Sequence, residues 1–273
     1  MTYKKPKTGW KLLGNSSAKT EKGSKYEYTT YIMYLAPAKQ NSKGIDLCPM
    51  RSKGCTKACL FTSGRGKFTT VEKARINKTE FYVHSRHEFL HELFEQVHKI
   101  VARHKRDKLP KDMYKKFCIR LNGTSDINFL RQKVNGKNIY ETFPDVTFYD
   151  YTKNHFQLLA NAYDNYHITF SRDETNEDMA LKLIDDGFNA AFVFEKYIPK
   201  TYKGYTVLNG DETDLRFLDK RGGYIIGLKY KKSKDNEPNE FVIKQNDFHL
   251  QALNIAVKKN DFHSQALMTA GRY

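Results

Sequence analysis

Apolar and polar positions change period along the chain, and the changes mark out its elements. Residues 26–35, Tyr-Glu-Tyr-Thr-Thr-Tyr-Ile-Met-Tyr-Leu, are β-branched and aromatic and predict a strand that Pro37 stops. From 71 to 106 the period lengthens. Phe81, Phe89, Leu90, Leu93, Phe94, Val97, Ile100 and Val101 recur at three- and four-residue steps, with Lys, Glu and His between them, as in one long helix packed on a sheet. Beyond Pro110, short apolar runs at 117–121, 146–149, 166–170, 190–194, 205–208 and 224–228 predict buried strands; intervening stretches such as 154–163 and 176–186 suit helices. Strand then helix, repeated, means a parallel sheet. With the first strand included there are about seven, which predicts a parallel-stranded, TIM-like α/β barrel, complete or incomplete; a doubly wound open sheet is the alternative.

The flanks read differently. Residues 1–25 are polar, Lys-rich and broken by Gly9, Gly14 and Gly23, predicting a flexible basic arm that Trp10 pins to a barrel domain over 26–230. Residues 231–273 begin as a charged loop. Within them the segment 246–253 recurs at 260–267, an offset close to four helical turns, so Phe248, Leu253, Phe262 and Leu267 share a face of one C-terminal helix, with His249 and His263 in the same register.

Polar residues at the ends of the predicted strands carry the candidate chemistry. The run 117–121 leads into Asn122-Gly123-Thr124-Ser125-Asp126, 146–149 into Asp150-Tyr151-Thr152-Lys153, and 166–170 into Ser171-Arg172-Asp173. In a parallel α/β fold these ends share one face, where active sites are placed. Asp126, Asp150 and Asp173 are candidate catalytic residues, and Asn122, Ser125 and Ser171 candidate cofactor-binding ones. Capping the next helix is the other role open to such residues, and Asn176 before Glu177 and Asp178 has the form of a cap.

Three of the four cysteines, Cys48, Cys55 and Cys59, fall in the Gly-, Pro- and Lys-rich loop 47–67, with six residues between the first pair and three between the second. Thiolates converging from one loop bind zinc or the iron of an iron-sulfur cluster, and neighbouring Lys and Arg are expected to lower the thiol pKa toward the metal-binding form. Of the histidines at 84, 87, 91, 98 and 104, most fit a solvated helix face. His84, twenty-five residues after Cys59, is the candidate fourth ligand for zinc, and His84, His87 and His91 share a face of the predicted helix.

The charge of +16 adds a polyanionic partner, nucleic acid, to this picture, and 18 Tyr with 18 Phe supply surfaces on which bases stack. Arg65, Lys67, Lys153 and Arg172 lie near the candidate site and are the expected phosphate contacts. No apolar run is long enough to span a membrane, and the N-terminus lacks the apolar core of a secretory signal. The expected setting is the cytoplasm, where cysteines stay reduced and a cluster of them points to metal or redox chemistry.

On Cys48-Pro49, Gly54-Cys55, Ala58-Cys59-Leu60, Gly64-Arg65-Gly66, Arg120-Leu121-Asn122-Gly123-Thr124-Ser125-Asp126, Phe148-Tyr149-Asp150-Tyr151-Thr152 and Ser171-Arg172-Asp173, the chain resembles the phage family labelled gene product 88 across roughly 30–230. That resemblance implies a phage accessory protein in the cytoplasm of the infected host cell. More distantly, a three-cysteine loop after the first strand of a barrel resembles the radical S-adenosylmethionine proteins, which implies Cys48, Cys55 and Cys59 as ligands of a four-iron cluster whose open iron binds the cofactor. Those proteins usually have three residues and then two between their cysteines, where this chain has six and three.

Three functions fit these features. The first is an iron-sulfur, radical S-adenosylmethionine-like enzyme modifying nucleic acid or a nucleotide. The second is a zinc-containing transglycosylase exchanging guanine in DNA or tRNA, with two of Asp126, Asp150 and Asp173 as its carboxylates. The third is a non-enzymatic, metal-stabilised phage protein that binds nucleic acid or inhibits a host protein.

Overall fold

The structure is a computed structural model and describes residues 11–15, 24–62, 64–110, 113–231 and 239–245, without the side chains of Thr62, Arg65 and Lys67. Its elements are β1 (Leu13–Gly14), β2 (Tyr28–Met33), α1 (Lys53–Lys57), α2 (Thr69–His84), α3 (Arg86–His104), β3 (Lys116–Arg120), α4 (Ile139–Thr142), β4 (Thr147–Thr152), α5 (His155–Leu159), β5 (Tyr166–Ser171), α6 (Glu177–Asp185), β6 (Ala190–Phe194), β7 (Thr201–Tyr202), β8 (Tyr205–Asn209) and β9 (Ile225–Lys229). The strands predicted at 26–35 and beyond Pro110 are present as β2, β3, β4, β5, β6, β8 and β9, and they pair in parallel.

Strands β2 to β6 lie side by side in chain order, and the full order is β1-β2-β3-β4-β5-β6-β9-β8-β7. Five consecutive parallel strands advancing in one direction, joined by crossovers of one hand as is the rule, keep their helices on one face. That face holds the core. Tyr31, Met33, Ile119, Leu121 and Phe148 meet Phe89, Leu93, Phe94 and Val97 of α3, and farther along Phe170, Phe192 and Phe194 meet Ala180, Leu183 and Ile184 of α6. The intervening strand residues point the other way. There Cys118 and Tyr149 pack under Leu215 and Phe217, which lie in and beside a short 3-10 turn.

Two expectations are corrected by the fold. The sheet is parallel in its body but does not close into a barrel. Antiparallel β1 occupies the outer edge of β2, through Leu13 opposite Met33, and the antiparallel β7–β8 hairpin forms the other end, so the terminal strands never meet. The helix at 71–106 is broken. Ser85 takes φ −136° and ψ 56°, which ends α2 and starts α3, and the bend brings the Phe81 and Phe89 rings to 5.4 Å.

Within the predicted N-terminal arm, Leu12 and Leu13 are buried and β1 joins the sheet. Residues 1–10, with Trp10, and 16–23 lie outside the described residues, as does the predicted C-terminal helix with His249 and His263. No described helix is long and apolar enough to cross a membrane.

Candidate functional site

The loop after β3 is shaped from within. Asn122 Oδ1 accepts hydrogen bonds from Ser125 Oγ (2.8 Å) and Ile127 N (2.9 Å), while its Nδ2 donates to Ile127 O (3.0 Å). Gly123 crosses the end of β2 so closely that a Cβ would lie 2.6 Å from Met33 O, which admits only glycine. Asp126 N then donates to Leu47 O (2.8 Å), tying this strand end to the residue before Cys48.

A second tie holds the cysteine loop between Cys48 and Cys55. Ser52 caps α1, its Oγ accepting from Cys55 N (3.0 Å) and donating to Glu174 Oε2 (2.8 Å), and Gly54 N donates to Glu174 Oε1 (2.7 Å). Glu174 belongs to the loop between β5 and α6. One carboxylate thus docks the helix carrying Cys55 onto the strand ends.

Between these ties lies a cavity of about 330 Å³ at the C-terminal ends of the strands. Cys48, Cys55 and Cys59 line it together with Asn122, Ser125, Asp126, Lys153 and Ser171. Ala191, Val193 and Leu228 add apolar wall, and Arg120, Tyr151 and Asp214 line it too. The three thiols and five of the expected strand-end residues therefore face one space, on the side of the sheet away from the long helices.

The remaining expected residues are elsewhere. Asp150 is buried behind the wall, its Oδ1 accepting from Asn122 N (2.7 Å) and 3.8 Å from Arg120 Nε. Burial, opposed by Arg120, pushes its carboxyl up to about 7. Asp173 is fully buried, with Oδ1 accepting from Thr175 N and Oγ1 and Oδ2 3.6 Å from Lys153 Nζ. Both are absent from the cavity lining. Arg172 is absent from that lining too. Its guanidinium is buried and held by Glu177 (Nε–Oε2 2.8 Å) and by Phe241 O (2.8 Å). His84 sits beside Glu80 (3.3 Å) and Ser42 (2.8 Å), outside the cavity lining. The side chains of Arg65 and Lys67 lie outside the described residues. Asn176 stands at the N-cap of α6, but its Oδ1 accepts from Asp173 N (2.7 Å) in place of a helix amide.

Of the expected groups in the cavity, Asp126 and Lys153 are the charged ones. Asp126 accepts from Thr152 Oγ1 (2.7 Å) and Lys153 N (2.9 Å), and burial raises its pKa against those bonds. Lys153 Nζ donates to Ser171 O (3.1 Å) and Oγ (3.0 Å), fixing the β5 end relative to β4. Burial pushes the Cys48 thiol up to about 12 and Cys55 up to about 11, and raises Cys59. The expected lowering by basic neighbours is present at Cys55 through Lys153 and at Cys59 through Arg75 and Arg51, but desolvation outweighs it.

Arg120 and Tyr151, which carry part of the family resemblance, and Asp214 are site residues to which the sequence assigned no role. Arg120 Nη1 binds Asp214 Oδ2 at 3.0 Å, Tyr149 Oη donates to the same oxygen at 3.3 Å, and the guanidinium lies 4.7 Å from the Tyr151 ring centre. A charged residue ending the apolar run of β3 was the available signal; Asp214, ninety-four residues on, left none.

None of the four cysteines forms a disulfide. Among the described residues, no group of three or more His, Cys, Asp or Glu side chains is gathered so as to hold a metal ion. The family model described as gene product 88 matches residues 10–245. The chain belongs to the gene product 88 family. All three cavity cysteines and every strand end described above fall within the gene product 88 match. No curated protein and no solved structure matches the chain.

Proposed function

We propose that this gene product 88 protein is a metalloenzyme in which Cys48, Cys55 and Cys59 hold an iron-sulfur cluster within the cavity, acting on a nucleotide or nucleic acid in the manner of radical S-adenosylmethionine enzymes. The supporting observation is that the three thiols line one cavity at the strand ends. A structural zinc would need a fourth ligand beside the three thiols. Three thiolates on a four-iron cluster leave one iron for a ligand from outside the protein. His84, the expected completion of a zinc site, lies elsewhere.

Such a cluster, when bound, supplies single electrons to a ligand at that open iron. The chain's own residues shape the space around it. Ser125 and Ser171 present hydroxyls on the wall, and Asn122 acts through the loop it organises, since its side chain is engaged with Ser125 and Ile127. Asp126, accepting two hydrogen bonds, orients the backbone of β4's end and offers a polar edge to substrate. The apolar patch of Ala191, Val193 and Leu228 suits the face of a base, and the +16 charge suits its phosphate-bearing remainder.

Zinc-dependent base exchange has less support, because only Asp126 of the three expected carboxylates lines the cavity. Anaerobic purification with iron and sulfide tests the proposal. A brown protein that loses its iron when Cys48, Cys55 and Cys59 are replaced supports it. A colourless, iron-free product after reconstitution rejects it, and nucleic-acid binding retained by that product would leave a non-enzymatic binding protein.

A further inference from the structure

A second set of metal donors lies on α3, outside the lining of the cysteine cavity. His87 and His91 are one helical turn apart, with ring centres at 4.3 Å and their Nε2 atoms facing at 3.1 Å. His87 is exposed and His91 half-buried, on a helix anchored beneath them by buried Phe89, Leu90, Leu93 and Phe94. We propose that this pair is a surface site for a divalent transition-metal ion of the zinc, nickel and copper class.

The geometry is that of two ligands awaiting a shared ion. With metal–nitrogen bonds of about 2.0–2.1 Å, two nitrogens 3.1 Å apart subtend roughly 100° at the metal, between the octahedral and tetrahedral values. The rings need little movement to bind. Without metal, one Nε2 must carry the proton that the other accepts; with metal, both rings take the Nδ1–H tautomer and both Nε2 lone pairs point to the ion. A pair of imidazoles favours copper, nickel and zinc over magnesium or calcium, with copper the tightest, and water completes the coordination. His84, expected from sequence to share this face, lies beyond the Ser85 break with Ser42 and Glu80, so the site has two protein ligands.

The test uses the untagged full chain, treated with chelator, and Ni²⁺ alone as the probe, read by calorimetric titration and by the Ni²⁺-dependent rise of the urea midpoint. Thiol-bound metal is common to all the proteins compared, so the difference between variants isolates the pair. Loss of even an outer partner of a metal ligand costs about 10–100-fold, so His87→Gln and His91→Gln should each weaken this Ni²⁺ event at least about tenfold. His84→Gln should leave it unchanged, and iron content after reconstitution should be the same in all three variants. Ni²⁺ titrations of His87→Gln and His91→Gln that superimpose on the wild-type curve, or an equal loss in His84→Gln, would overturn the assignment.

Discussion

Replacing Glu174 by Ala removes the carboxylate that docks α1, and with it Cys55, onto the strand ends. Two hydrogen bonds are lost, from Ser52 Oγ at 2.8 Å and Gly54 N at 2.7 Å, both to a charged acceptor. Bonds of that kind contribute about 1.5–3 kcal/mol each, and water reaching the half-open loop returns part of this, so the expected loss of stability is about 2–4 kcal/mol. Ser52 still caps Cys55 N in the variant, so the helix itself persists but loses its anchor. Urea denaturation of the metal-free protein should show the lower midpoint. Thiol labelling under native conditions, mapped to individual cysteines by peptide mass, should show Cys55 reacting faster, because its burial depends on that docking. Glu174→Gln keeps one acceptor but turns an amide N–H₂ toward a donor, so it should fall between the two. A variant with the wild-type midpoint and the wild-type labelling rate at Cys55 would refute the docking role.

Gly54→Ala places a Cβ 2.7 Å from the Glu174 carboxylate oxygens; this overpacking should cost about 1–2 kcal/mol in the same urea assay, and no change would mean that Glu174 gives way freely. Arg120→Leu leaves Asp214 and Asp150 without their buried counter-ion and should lower stability by about 3–5 kcal/mol, a loss below about 1 kcal/mol contradicting the pairing. Asp150 has its native pKa raised from 3.8 to about 7, so between these values the native state binds more protons than the unfolded one. Its contribution to stability therefore falls as pH rises through that window and levels off above it. Asp150→Asn keeps an acceptor for Asn122 N and should flatten that slope in a pH series of denaturation midpoints; an unchanged slope would assign it to other groups.

The parallel body of the sheet was legible because each strand is a short apolar run ended by polar residues, and those ends did fall on one face. Closure was not legible. It depends on edge pairings such as Leu13 with Met33 and Thr201 with Thr206, in strands of two residues that carry no periodic signal. The break at Ser85 was hidden because Phe81 and Phe89 keep helical spacing across it. Among the strand ends, Asp126 reaches the cavity while Asp150 and Asp173 do not, and the turn after each strand decides which way the side chain points. Arg172 meets Phe241 sixty-nine residues on, and Glu174 binds Ser52 and Gly54, 122 and 120 residues back, so neither set of contacts was legible in the sequence. The thiols' basic neighbours were visible, but the burial that outweighs them belongs to the folded loop.

The most direct measurement is iron and acid-labile sulfide per chain after anaerobic reconstitution, in the wild type, in the triple Cys48→Ala, Cys55→Ala, Cys59→Ala variant, and in Cys118→Ala. Cys118 is buried beneath the 3-10 turn with Tyr149 and Leu215, outside the cavity lining, so its replacement is the control. About four irons and a matching amount of sulfide are expected in the wild type and in Cys118→Ala, and none in the triple variant. Iron-free wild-type protein, or iron retained by the triple variant, would contradict that expectation.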